Sequence, residues 1–84
     1  MASIEIYMRP TCPYCRAAQQ LLESKGQPWS EVDISAEPDR RSEMMERSGR
    51  TTVPQIWIDG RHVGGFDDLA ALGSSGELDR MLAA

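Results

Sequence analysis

Two cysteines separated by two residues, Cys12-Pro13-Tyr14-Cys15, are the only thiols in a chain of 84 residues. The segment ahead of them, Ile4-Glu5-Ile6-Tyr7-Met8, alternates apolar with polar or amphipathic residues as a strand does, and Arg9-Pro10-Thr11 interrupts it. Proline suits the first turn of a helix, so Pro13 predicts that a helix opens directly behind Cys12. A sulfur placed there meets free backbone N–H groups and the positive end of the helix dipole, and both favour a thiolate over a thiol. Cys12 is therefore expected to be a nucleophile, with Arg9 adding positive charge nearby. Cys15 falls about one turn inside the helix, where it should be less exposed and serve as the resolving thiol. Strand, C-x-x-C and helix in that order form the setting in which such a pair reads as a redox motif.

Other uses of the pair fit less well. A zinc site needs four ligands, usually Cys or His, and the chain offers one further candidate, His62. A disulfide enclosing two residues constrains the unfolded chain far less than one closing a long loop, which argues for chemistry over stapling. Small buried cysteines are common, but adjacency to a helix start speaks against that reading.

Two more segments carry possible chemistry. Thr51-Thr52-Val53-Pro54 precedes a strand, where a proline must start the strand or turn into it because it cannot donate to a ladder. The residues alone leave the isomer of the Val53-Pro54 bond open. In Gly64-Gly65-Phe66-Asp67-Asp68, an Asp can simply cap a helix. Alternatively, backbone N–H groups hold a ligand carboxylate there while an Asp accepts from a ligand ammonium, a clamp suited to an amino-acid-like moiety.

The elements that must position these segments are short. A helix from Pro13 carries Tyr14, Ala17, Ala18, Leu21 and Leu22 on one stripe and ends at Gly26 and Pro28. Trp29 to Ile34 reads as a strand with Val32 and Ile34 on one face, completing a right-handed, parallel βαβ unit. A second helix is predicted from Pro38 to Arg47, closed by Gly49, with Met44 and Met45 as its apolar contribution. Gln55 to Ile58 and Arg61 to Val63 flank Asp59-Gly60, a strong hairpin signal. A helix should start at Asp67-Asp68, and Ser74 with Glu77 has capping-box spacing ahead of a last helix through Leu78, Met81 and Leu82. The order is β-α-β-α-β-β-α-α.

This length suits one domain, 1–84. Nine Lys and Arg against thirteen Asp and Glu give a net charge of −4, which provides no general footing for nucleic acid or anionic lipid. With no basic leader and no apolar run of membrane length, a soluble cytoplasmic protein is expected. His62, Trp29 and Trp57 are expected to pack or to lie on the surface.

Taken together, Cys12-Pro13-Tyr14-Cys15, Thr52-Val53-Pro54 and Gly64-Gly65-Phe66-Asp67-Asp68 resemble the glutaredoxin family across nearly the whole chain. The resemblance implies an α/β, thioredoxin-like fold, a four-stranded mixed sheet flanked by helices, with a cis bond before Pro54. It implies a glutathione-dependent thiol-disulfide oxidoreductase, a monomer acting on protein–glutathione mixed disulfides and protein disulfides, with glutathione as co-substrate and no metal or tightly bound cofactor. The implied glutathione site joins Arg9 at the glycine carboxylate, the Val53 backbone with Thr52 beside it at the cysteinyl part, and Tyr14 flanking the groove. Phe66 and Asp67 fall at the γ-glutamyl end, where Asp67 or Asp68 supplies the side-chain contact. Arg41 is a further candidate for the glycine carboxylate. Phe66 departs from the cysteine many relatives carry, and Met8 from a small polar residue. A glutathione-ligated iron-sulfur carrier is the alternative, disfavoured because cluster-binding relatives usually lack a proline directly after the first cysteine. A redoxin served by a thioredoxin-reductase-type enzyme would lack the Gly-Gly-x-Asp-Asp clamp.

Overall fold

The computed structural model describes residues 2–83. Eight elements follow one another: β1 (Ile4–Met8), α1 (Pro13–Ser24), β2 (Ser30–Asp33), α2 (Pro38–Ser48), β3 (Gln55–Ile58), β4 (Arg61–Gly64), α3 (Phe66–Ser75) and α4 (Glu77–Ala83). The strands form a single sheet in the order β2-β1-β3-β4. β1 runs parallel to β2 and antiparallel to β3, which pairs antiparallel with β4, so the sheet is mixed as expected.

Alternation along the strands divides the core between the two faces of the sheet. Ile4, Ile6 and Met8 of β1, with Ile56 and Ile58 of β3, pack against Ala18 and Leu22 of α1, Leu69 of α3 and Leu78 of α4. Tyr7, Trp57, Val32 and Ile34 face the other way and are covered by Met44 of α2. Every residue of β3 is consequently buried, the pattern of a strand enclosed on both sides. The Tyr7 hydroxyl, buried with its ring, donates to the Glu43 carboxylate and accepts from Arg47 Nη1 at 2.9 Å. Arg47 also reaches Glu5 at 3.1 Å and lies 4.2 Å from the centre of the Trp57 ring. The Tyr7 hydroxyl bond, and after it Arg40, lowers the Glu43 carboxyl below the usual carboxylate range.

Where the structure departs from expectation, local geometry supplies the reason. Tyr14 was expected on the buried stripe of α1, yet it is 62% exposed. With Pro13 fixing where the helix begins, the buried line runs instead through Cys15, Ala18 and Leu22, spaced three and four apart. Ser74 does not cap the last helix, because α3 continues to Ser75 before Gly76 turns left-handed at φ 84°. The Glu77 N–H is taken by Ser75 Oγ at 3.3 Å. β2 is shorter than the predicted Trp29–Ile34, and α2 runs one residue beyond Arg47 before Gly49 ends it at φ 69°. The Asp59-Gly60 hairpin forms as expected, with φ of 52° and 79° at its two central residues, the primed-turn region that suits twisted strands. Among the described residues no helix is long and apolar enough to cross a membrane.

Leu22 lies with no exposed surface between α1 and the sheet. Leu22→Ala should cost about 2–5 kcal/mol of stability through lost burial and the cavity left behind, read as a lower urea midpoint with unchanged slope.

Candidate active site

β1 delivers the chain to a tight turn in which the Cys12 N–H donates to the Arg9 carbonyl at 3.2 Å. Cys12 then takes extended dihedrals, φ −90° and ψ 115°, and stands as the N-cap of α1 with Pro13 beginning the helix. Its sulfur occupies the place of a capping oxygen, accepting the Cys15 N–H at 3.3 Å. Cys15 instead lies 1% exposed in the core with Ala18, Leu22 and the sheet. Burial, and then the hydrogen bond with Cys12, push the Cys15 thiol up to about 12. The two sulfurs are therefore unequal: one meets a helix start at the surface, and the other is held as a thiol in the core.

Across from Cys12 stands the Val53 carbonyl, which accepts from the Cys12 thiol at 3.8 Å. The Val53-Pro54 peptide is cis, the isomer implied by the family resemblance. Cys12 shares one hollow with Arg9, Arg41, Thr52 and Val53. An adjoining groove of about 290 Å³ shares Thr52 and Val53 and extends past Tyr14 and Phe66 to Asp67 and Asp68. The sequence-predicted site residues other than the buried Cys15 thus come together along one trough. It has two arginines at one end, the sulfur and the Val53 main chain in the middle, and the start of α3 at the other end. The Tyr14 and Phe66 rings lie 6.3 Å apart, centre to centre, along this trough.

The α3 end is built tightly. Gly65 is the N-cap and has no side chain to offer, so Asp68 reaches back to accept the Gly65 N–H at 3.0 Å. Arg50 Nη1 donates to the same Asp68 oxygen at 2.7 Å. That guanidinium first, and the Gly65 N–H second, hold the Asp68 carboxyl below its ordinary range. Asp67, one residue into the helix, remains exposed. The first N–H groups of α3 have no partner within the helix, which leaves donors for an anion at this end of the trough.

Sequence reasoning missed Arg50. Nothing in its spacing sets it apart from Arg40, Arg41 or Arg47, and only the fold shows that the turn after α2 lies beside α3. Arg41 lines the hollow that also holds Arg9 and Cys12. Among the described residues no group of three or more His, Cys, Asp or Glu could hold a metal ion.

A family model described as Glutaredoxin matches residues 4–63. The chain is 55% identical over 82 residues to Glutaredoxin 3 of Escherichia coli strain K12, covering 98% of this chain and 99% of that protein. It superimposes on the solution structure of glutaredoxin from Brucella melitensis with a TM-score of 0.85 and 55% identity, over 98% of this chain and 89% of that one. The crystal structure of a buckwheat glutaredoxin–glutathione complex matches with a TM-score of 0.91 at 25% identity, over 98% of this chain and 77% of that one.

Gly64 holds φ 123°, and a Cβ built on it would stand 2.8 Å from Asp68 Cγ and 3.0 Å from Arg50 Nη1. Gly64→Ala should therefore lose about 1–3 kcal/mol through backbone strain alone and displace Asp68 from the α3 start. Thermal unfolding reads the first effect, and a shifted Gly65 amide resonance reads the second.

Proposed function

The chain belongs to the glutaredoxin family and is a glutathione-dependent thiol-disulfide oxidoreductase, and on that premise we propose which residues do the work. The observation that carries the reading is the inequality of the two sulfurs across one turn of α1. Cys12 attacks the disulfide of a glutathionylated protein at the glutathione sulfur. The protein thiolate leaves, and Cys12 becomes disulfide-bonded to glutathione. A second glutathione thiolate attacks that bond, releasing oxidised glutathione and restoring the Cys12 thiolate. With a protein disulfide, Cys12 displaces one protein thiolate to form the mixed disulfide, and Cys15 attacks the Cys12 sulfur and releases the second. Two glutathione molecules then reduce the Cys12-Cys15 pair and leave as oxidised glutathione.

The electrostatics support an order to these events. Besides burial, both the Cys12 charge and its hydrogen bond raise the Cys15 thiol. Capture of a substrate converts Cys12 to a neutral disulfide and removes both contributions. Cys15 is thereby easier to deprotonate only after Cys12 has reacted, when a resolving thiolate is useful.

Binding of glutathione follows the charge along the trough. Arg9, with Arg41 beside it, takes the glycine carboxylate, and the Val53 main chain pairs with the cysteinyl unit between Thr52 and Tyr14. The N–H groups of Phe66 and Asp67 take the γ-glutamyl carboxylate. Asp67 accepts from the ammonium, a choice supported by the commitment of Asp68 to Arg50 and Gly65. The protein works as a monomer and one domain over 1–84 in the cytoplasm, with disulfide-bearing proteins as its other partners.

Cys15→Ser separates the two branches. That variant should still reduce a glutathione mixed disulfide, because the incoming thiol is free glutathione. It should lose most reduction of protein disulfides by intramolecular resolution. Cys12→Ser should abolish both, serine being a far weaker nucleophile near neutral pH. Loss of both activities in a folded Cys15→Ser protein, or survival of either in Cys12→Ser, would reverse the assignment.

A further inference from the structure

Gln55 is the one polar residue in the buried core among the described residues, with no exposed surface at all. It opens β3 directly after Pro54, beside apolar Ile56, Trp57 and Ile58. An amide buried there is tolerated only if its hydrogen bonds are made. Its Nε2 donates to the Thr52 carbonyl at 3.0 Å and approaches Thr52 Oγ1 at 3.4 Å. Its Oε1 lies 2.8 Å from His62 Nε2.

The orientation of this amide follows from its partners. A carbonyl oxygen only accepts, so the NH₂ end must face Thr52, which leaves Oε1 to face His62. His62 Nε2 must then carry the proton and donate. Its ring lies 4.9 Å from that of Trp57, centre to centre, which fixes it from behind. A line of contacts therefore runs from Trp57 in the core through His62 and Gln55 to Thr52. It ends one residue short of the Val53 carbonyl that faces Cys12.

We propose that Gln55 is a positioning residue that, held by His62, fixes the Thr52–Val53 main chain in the orientation that receives the cysteinyl part of glutathione. Thr52 is exposed, and water could satisfy its carbonyl without help from the core. An apolar residue at 55 would equally fill β3. The buried amide adds a tether across the Val53-Pro54 bond, joining residue 52 to residue 55, and so takes orientational freedom from the segment that lines the middle of the trough. Pre-ordering a binding segment in this way favours affinity over the chemical step.

The inference rests on the glutathione site proposed above, and the test separates the two. Gln55→Met keeps the volume and removes the amide. Its KM for the mixed disulfide of glutathione and 2-mercaptoethanol should rise about tenfold, the order expected for loss of one positioning hydrogen bond, with kcat unchanged. The rate of Cys12 alkylation by iodoacetamide, which depends on α1, should also stay at the wild-type value. His62→Phe keeps a ring against Trp57 but frees the amide to turn, and should raise KM in the same direction by about threefold. If Gln55→Met fails to fold, His62→Phe carries the test. A folded Gln55→Met with wild-type KM, or an unchanged KM in His62→Phe when that is the variant in hand, overturns the proposal while leaving the glutathione site intact. A wild-type protein that does not saturate with this substrate overturns the site and the proposal together.

Discussion

The Cys12 sulfur stands where a helix ordinarily takes a side-chain oxygen, accepting the Cys15 N–H at 3.3 Å. The donor of that bond belongs to the backbone of α1, so the bond holds as long as α1 begins at Pro13. The same starting point sets the phase of the helix. It turns Cys15 inward on the line of Ala18 and Leu22 and leaves Tyr14 outside. One choice of helix start thus makes one sulfur available and keeps the other enclosed.

The sheet serves this arrangement by rigidity. β1 and β3 are covered on both faces, and they carry the two segments that must meet: the turn before Cys12 and the loop before Pro54. The antiparallel register Tyr7↔Gln55 brings the end of β1 beside the start of β3. Cys12 and Val53, forty-one positions apart in the chain, consequently face one another. At the far end of the trough, the bend at Gly64 sets the start of α3 against Arg50, and Asp68 locks the two together.

Much of this was legible in the residues. Strand alternation, Pro13, Asp59-Gly60 and the spacing of Cys12 and Cys15 each act over a few positions, and each produced the expected element. The stripe of α1 was misread at Tyr14 because an aromatic residue at helical spacing looks apolar, whereas Cys15 in its place looks reactive. The S-x-x-E spacing at Ser74 was misleading because Gly76 ends α3 later than that pattern allows. The choice between Asp67 and Asp68 depends on Arg50, and the importance of Gln55 depends on His62. Both are long-range pairings, created by the sheet and the turn after α2, that no local pattern announces. Glutamine in a strand gives no signal until its burial is known.

The helix start leaves Cys12 at the surface while the core encloses Cys15, whose thiol is pushed up to about 12. Brief alkylation of the reduced, folded protein with iodoacetamide at neutral pH, followed by peptide mapping, tests this difference directly. The account predicts modification of Cys12 alone, with Cys15 labelled only after unfolding. Equal labelling of the two, or Cys15 ahead of Cys12, would contradict it.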